Sequence, residues 1–459
     1  MAFSKVLVAN RGEIAVRIIR SLKECGVRTT AIYSEADKDC LHVRLADEAY
    51  PIGPPPALKS YLQAGAIVEL AARIQAQAVH PGYGFLAENA QFAALCQEAG
   101  LCFIGPTPDN LRLAGDKRRA RQVVEEAGVP VIPGSHRPLL SVAEAQEVCR
   151  SMSYPLLLKA SAGGGGRGMR AVAGPGDLAD EFVTAAAEAR AVFGDPTLYV
   201  EQRINRPKHI EVQILADSQG RVVHLMERNC SVQRRHQKLI EEAPAPGLTQ
   251  ALRESLHRAA VTIAKTVGYH NAGTIEFLVD QEQRFYFMEI NARIQVEHPV
   301  TEMILGLDLI KAQLAIAEGR ELGLRQEEIR ARGHAIECRI NAEDPALDFL
   351  PDPGRVEQYH APGGFGVRFD THLYQGYEVP IFYDPMLGKL ITWGASRPEA
   401  LARMQRCLDE LVVEPIKTTT PFHLQVIRRP EFIQGDYRLD LAEQLLQEMD
   451  SGSLEAMQA

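Results

Sequence analysis

The 459-residue sequence contains one tryptophan and eight scattered cysteines, with no Cys-x-x-Cys pair among them. That spacing excludes a zinc ribbon or a dithiol redox centre and predicts reduced thiols in a cytoplasmic setting. No run of about 18 apolar residues is present, so no membrane-spanning helix is expected. The opening MAFSKVLVANRGEIAVR passes straight into a strand and a helix, unlike a signal or transit peptide. Basic residues are also in deficit, and the net charge of -9 argues against nucleic acid or an anionic membrane as general partners. The first strand-to-helix turn, Asn10-Arg11-Gly12-Glu13, has one glycine where a dinucleotide fingerprint needs three. No Gly-Lys-Ser/Thr follows the later glycine run, which excludes a Walker loop.

What is present is an ordinary globular composition, 46% hydrophobic and 24% charged. The length accommodates about two to four domains. Short apolar runs alternating with helical periodicity over residues 1–113 predict a parallel-sheet α/β domain. Residues 114–332 begin with a basic helix at Lys117 and carry a glycine run, 163–168, just after the strand that ends at Lys159. Glycines there can bring backbone N–H groups against phosphate oxygens, which predicts a phosphate-closing lid over about 132–203; a plain hairpin tip is the blander alternative. From Gly333 to about 447, short glycine- and proline-punctuated strands followed by a helix predict an α+β domain, with 448–459 a tail. The fold expected is thus multidomain, α/β followed by α+β.

The most informative stretch is 274–297. Two β-rich runs, 274–279 and 285–290, flank the polar Asp280 to Arg284 and read as a hairpin. Glu276 then comes roughly opposite Glu289, and the parity of an extended chain lines up Glu289, Asn291, Arg293, Gln295 and Glu297. Like charges facing each other repel unless a cation lies between them. Carboxylate and carboxamide oxygens without Cys or His suit a hard ion such as Mg²⁺. Two glutamates on a solvated face would be the alternative, but Phe285, Phe287, Met288 and Ile290 crowd the same strand. A second cluster, Arg234-Arg235-His236-Gln237-Lys238, concentrates cations in an acidic chain and suits a small anion.

These motifs, with His80-Pro81-Gly82-Tyr83-Gly84-Phe85-Leu86 and Glu337-Cys338-Arg339-Ile340-Asn341-Ala342-Glu343, run in an order that resembles the biotin carboxylase subunits of multi-subunit acetyl-CoA carboxylase. Through them the chain resembles the ATP-grasp ligases. The resemblance covers essentially the whole chain. It implies that Lys117, Lys159 and the loop glycines Gly164, Gly165 and Gly166 hold ATP phosphates, while Glu201, Ile204, His209 and His236 line the rest of the nucleotide pocket. Glu276, Glu289 and Asn291 would bind Mg²⁺ or Mn²⁺. Bicarbonate would be gripped by Lys238, Arg293, Gln295 and the backbone of Val296, with Glu297 as the base that deprotonates it. Carboxyphosphate would form and break down, and biotin, near Tyr83 and Arg339, would be carboxylated with Arg339 stabilising its enolate.

Three positions depart from the family's usual pattern: Gln202 where lysine is common, Ala292 in place of threonine, and Glu414-Pro415 at a turn. By the same resemblance Arg17, Arg20, Glu24 and Phe365 would lie at a homodimer contact. No Met-Lys-Met biotinylation sequence occurs, so the biotin carboxyl carrier protein and the carboxyltransferase subunits are expected on other polypeptides. The alternatives are the corresponding subunit of a two-subunit pyruvate or other acyl-CoA carboxylase, a non-catalytic ATP-binding homologue, and a ligase joining a carboxylate to an amine.

Overall fold

The computed structural model describes residues 2–135, 137–160 and 168–458, the last helix beyond Met449 as backbone only. Five short strands, β1 (Lys5–Val8), β2 (Arg28–Tyr33), β3 (Glu48–Pro51), β4 (Ala78–His80) and β5 (Cys102–Phe103), form a parallel sheet in the order β3-β2-β1-β4-β5. The helix Gly12–Glu24 crosses from β1 to β2 with Ile14, Ile18, Ile19 and Leu22 buried, as its apolar periodicity predicts. The strand β3 carries no such pattern: it reads Glu-Ala-Tyr-Pro, is only partly buried, ends in proline and lies at the sheet edge, where proline costs no ladder bond.

The second sheet is antiparallel and has eight strands. It contains β9 (Lys208–Ala216), β10 (Val222–Arg234), β11 (Gln237–Ala243), β12 (Asn271–Val279), β13 (Phe285–Asn291) and β14 (His334–Asn341), in the order β13-β12-β9-β10-β11-β14. The strands Met386–Gly394 and Val367–Thr371 then extend it beyond β14. All nine residues of β9 are buried, so this strand is the spine of the sheet. Because β11 pairs with β14, the sheet passes without a break from the middle of the chain into its C-terminal part. Leu7, Ile32 and Val79 of the first sheet share one core with Ile210, Ile275 and Phe287 of the second.

A smaller three-stranded sheet, β7-β6-β8, is built from β6 (Leu156–Ala160), β7 (Met169–Val172) and β8 (Leu198–Gln202). It has its own apolar cluster, in which Leu156, Leu158 and Val200 pack with Phe182 of the helix Leu178–Phe193. On the far side, the helix Arg397–Glu410, capped by Ser396, lays Met404, Cys407 and Leu408 against Ile336, Cys338 and Leu390. Each such buried side chain stabilises the packing by about 1.5–3 kcal/mol. Among the described residues no helix is long and apolar enough to cross a membrane.

Candidate active site

A cleft of about 2350 Å³ opens among the two large sheets and the small one. Its walls include Tyr83, Lys117, Lys159, Glu201, Ile204 and His209. They also include His236, Lys238, Glu276, Glu289, Asn291 and Arg293, with Gln295, Val296 and Arg339 completing the set. Gly164, Gly165 and Gly166 lie outside the described residues. Glu297 does not reach the wall; it is fully buried beneath it. Residues as far apart in sequence as Tyr83 and Arg339 are thus brought to one place.

The expected hairpin forms, and Glu276 stands in register with Glu289. The extended run ends at Asn291, yet the polar row stays connected through side chains. Arg293 donates through Nη2 to Asn291 Oδ1 at 3.2 Å and through Nη1 to Gln295 Oε1 at 2.7 Å. Its Nε bonds Glu88 at 2.9 Å. Glu297 occupies the N-cap position of the helix His298–Leu305, and Lys238 is the hub that ties it to the sheet. Lys238 Nζ reaches Glu211 at 2.7 Å, Glu276 at 2.8 Å and Glu297 at 2.6 Å. Lys238 gets there because β10 turns sharply into β11 at Arg235 and His236, both with positive φ. No glycine or asparagine marks that turn, so sequence alone did not reveal it as a hairpin.

Charge compensation sets the protonation state of this cluster. Burial alone would raise Glu297, but Lys238, Arg339 and Arg228 outweigh it and hold the carboxylate well below its ordinary range. Burial likewise opposes the ionisation of Glu276, whose pKa is nevertheless lowered by Lys238 and His209. Lys238 is raised well above a usual lysine despite burial, because Glu211, Glu276 and Glu297 surround it. Behind them lies a pair that the sequence did not single out. Arg228, fully buried, donates to Glu211 at 2.5 Å, to Gln213 and Thr301 at 2.9 Å, and to Thr274 at 3.2 Å. Removing one side of such a buried pair typically costs about 3–5 kcal/mol.

On the opposite flank Asp116 accepts from Arg119 N and caps the helix Lys117–Glu126, which aims Lys117 Nζ at Glu289, 2.7 Å away. Lys159 pairs with Glu201 across β6 and β8. His209 Nε2 lies 3.0 Å from Glu276 and its Nδ1 2.7 Å from Gln233; the histidine is therefore held by the carboxylate row. Glu276, Glu289 and Asn291 offer oxygen donors only, and the two carboxylates oppose each other with ammonium groups supplying the countercharge. That donor set fits a hard divalent cation.

At the third edge, Tyr83 hydrogen-bonds Glu13. Its loop is shaped by Asn10, whose Nδ2 donates to Pro81 O and Tyr83 O at 2.7 Å. Gly82 has φ +65°, and a Cβ there would sit 2.9 Å from that Nδ2, so the Asn10–Gly82 contact requires glycine. Arg339 donates through Nε to Glu241 at 2.7 Å and through Nη2 to Glu297 at 2.9 Å. Of the residues expected at a dimer contact, Arg20, Glu24 and Phe365 are exposed. Arg17 is turned inward to Glu302 and Asp308, at 2.8 and 3.0 Å.

Three family models match in succession: the biotin carboxylase N-terminal domain over 2–111, the ATP-binding domain of the carbamoyl-phosphate synthase L chain over 116–325, and the biotin carboxylase C-terminal domain over 337–444. The chain is 51% identical over 445 residues to a biotin carboxylase of Nostoc, covering 97% of this chain and 100% of that one. It is 49% identical over 449 residues to a pyruvate carboxylase subunit of Methanothermobacter thermautotrophicus, covering 98% and 91%. The structure superposes with TM-score 0.92 and 48% identity on the biotin carboxylase domain dimer of Hydrogenobacter thermophilus 2-oxoglutarate carboxylase, crystallised with MgADP, ADP and bicarbonate. That match covers 97% of this chain and 98% of the other. With half its residues shared with full-length relatives and its three units matched in order, the chain belongs to the biotin carboxylase family.

Proposed function

We propose that the residues around Glu297 carry out the ATP-dependent carboxylation of biotin by bicarbonate. The single observation that carries this reading is the placement of Glu297 between Lys238 and Arg339, at 2.6 and 2.9 Å, beneath a cleft wall that also carries Lys117, Lys159 and Arg293. Lys117 and Lys159 would bind the ATP phosphates, while Glu201, Ile204, His209 and His236 flank the nucleotide. Glu276, Glu289 and Asn291 would hold magnesium, which neutralises phosphate charge when bound.

Bicarbonate would lie against Lys238, Arg293, Gln295 and the Val296 backbone. Arginine suits a planar oxyanion through its fork of donors. Bicarbonate competing for Lys238 would weaken that lysine's hold on Glu297 and raise the basicity of the carboxylate. Glu297 then takes the bicarbonate proton, and a carbonate oxygen bonds the γ-phosphorus as the bond from phosphorus to the ADP oxygen breaks. Carboxyphosphate splits into CO₂ and phosphate; the phosphate takes the N1 proton of biotin, and N1 adds to CO₂. Arg339 stabilises the ureido oxygen during that step. The proton on Glu297 returns to solvent as products leave.

The biotin would arrive on a carboxyl carrier protein, and carboxyltransferase subunits would use the carboxybiotin formed. In our reading the final acceptor is acetyl-CoA, in fatty acid synthesis. Similarity to a pyruvate carboxylase subunit gives a second reading in which only the partner subunits differ. A homodimer is the expected assembly, and the eight cysteines, none paired in a disulfide, fit a reducing, cytoplasmic compartment. The test is carboxybiotin formation from labelled bicarbonate. Label should enter biotin only with ATP and magnesium together; label transfer without ATP, or none with all components, overturns the reading.

A further inference from the structure

Two carboxyl groups behind Arg339 take no part in the reaction just described. Glu241 on β11 and Glu337 on β14 are cross-strand partners and neither is exposed to solvent. Glu241 Oε1 accepts from Arg339, whereas its Oε2 and both oxygens of Glu337 are buried with no hydrogen-bond partner among the described residues. The nearest cation on the adjoining strand, Lys389, is committed elsewhere. Its Nζ donates to Val296 O at 2.9 Å and lies 3.2 Å from Glu13.

A buried, unpaired carboxylate costs several kcal/mol, more than taking up a proton. Two carboxylates directly opposite each other on neighbouring strands add repulsion to that cost. We propose that Glu241 and Glu337 share one proton and act together as positioning residues that fix the Arg339 guanidinium for biotin. This rests on the reading of Arg339 as the group that meets biotin. With Nε and Nη2 engaged by Glu241 and Glu297, Nη1 has no acceptor among the described residues and is left for the ureido oxygen. Were both glutamates ionised, Arg339 would face three carboxylates and its charge would be spent within the protein.

The surrounding field supports a retained proton. Burial raises Glu241, Arg339 lowers it and Glu297 raises it again, to about 7. Glu337 is pushed well above the carboxylate range by burial, against Lys389, with Glu241 adding to the rise. Lys238 also acts on Glu241, while Arg339 and Glu297 act on Glu337; Lys389, which lowers Glu337, is shared with Glu13, Asp370 and His298 of the packed helix His298–Leu305.

The test is infrared spectroscopy of the intact protein at pH 7, followed by kinetics with free biotin. A carbonyl stretch of a buried protonated carboxyl, shifted in D₂O, should be present in the wild type and absent from Glu337→Gln. Glu337→Gln, a neutral isostere, should retain the biotin KM, whereas Glu337→Ala should not. Glu241→Gln should lower kcat/KM for biotin about tenfold more than it lowers bicarbonate-dependent ATP cleavage. No band lost from Glu337→Gln, or equal biotin defects in Glu337→Gln and Glu337→Ala, overturns the proposal. The infrared result needs no biotin and decides the shared proton even if a Glu241 variant fails to fold. A lost band together with a wild type inert towards biotin would retain the shared proton and remove the biotin role of Arg339.

Discussion

Glu276 and Glu289 stand directly opposite each other across β12 and β13, yet each is held by a different cation. Lys238 lies 2.8 Å from Glu276, and Lys117 lies 2.7 Å from Glu289. The hairpin therefore places two carboxylates between the proposed nucleotide and bicarbonate flanks, and a divalent ion between them would compete with both ammonium groups.

In the proposed metal site, replacing either carboxylate removes one charged ligand. Glu276→Gln and Glu289→Gln should each weaken magnesium-dependent nucleotide binding by about one to two orders of magnitude, since hydrogen bonds or ligation to charged groups are worth about 1.5–3 kcal/mol. Nucleotide titration over a range of magnesium concentrations checks this. Unchanged magnesium dependence in both variants would remove these residues from the metal site.

Much of this hairpin was legible in sequence. Its alternation and its polar turn Asp280–Arg284 set the register, whereas the strand parity expected from Glu289 to Glu297 holds only as far as Asn291. The extended run ends at Asn291, but Arg293 keeps the row connected by bonding both neighbours. Arg228 and Glu211 were not legible, because a charged residue inside a strand looks the same whether it meets solvent or a buried partner. The pairing of β11 with β14 was likewise hidden, since it joins segments far apart in sequence. The turn at Arg235 and His236 lacks the residues that normally announce positive φ. Only the assembled sheet shows that these features meet.

Burial holds His372 neutral, with Arg11 acting in the same direction, and lowers its pKa to about 3. An unfolded histidine titrates near 6.5, so the unfolded chain binds the proton first as pH falls. The stability this group contributes is present above 6.5 and lost as pH falls towards 3. His372→Gln has no such loss. Between pH 7 and pH 5 the stability difference between the two proteins should shift by about 2 kcal/mol in favour of the variant, at about 1.4 kcal/mol per pKa unit. Urea unfolding at both pH values reads this directly, and a difference independent of pH would mean that the imidazole is protonated in the fold.

Glu242 presents the carboxylate counterpart. Burial would raise it, but His334 and Arg397 lower it to about 2, and Tyr437 adds a bond at 2.5 Å. Its stabilisation is present above about 4.5 and lost as pH falls towards 2. Glu242→Gln should cost about 3 kcal/mol at pH 7, with the deficit shrinking steadily below pH 4.5. Chemical denaturation along a pH series measures it; a deficit that persists unchanged at pH 3 would assign the cost to packing instead of charge.

In the proposed reaction, removal of the bicarbonate proton by Glu297 is the step on which the rest of the chemistry depends. Its most direct test is ADP release with magnesium and bicarbonate, with and without free biotin, in the wild type and in Glu297→Gln. Turnover should be bicarbonate-dependent and biotin-stimulated, and should fall by about 10²–10⁴ in the variant, while nucleotide still binds. Turnover that survives Glu297→Gln unchanged would contradict that role.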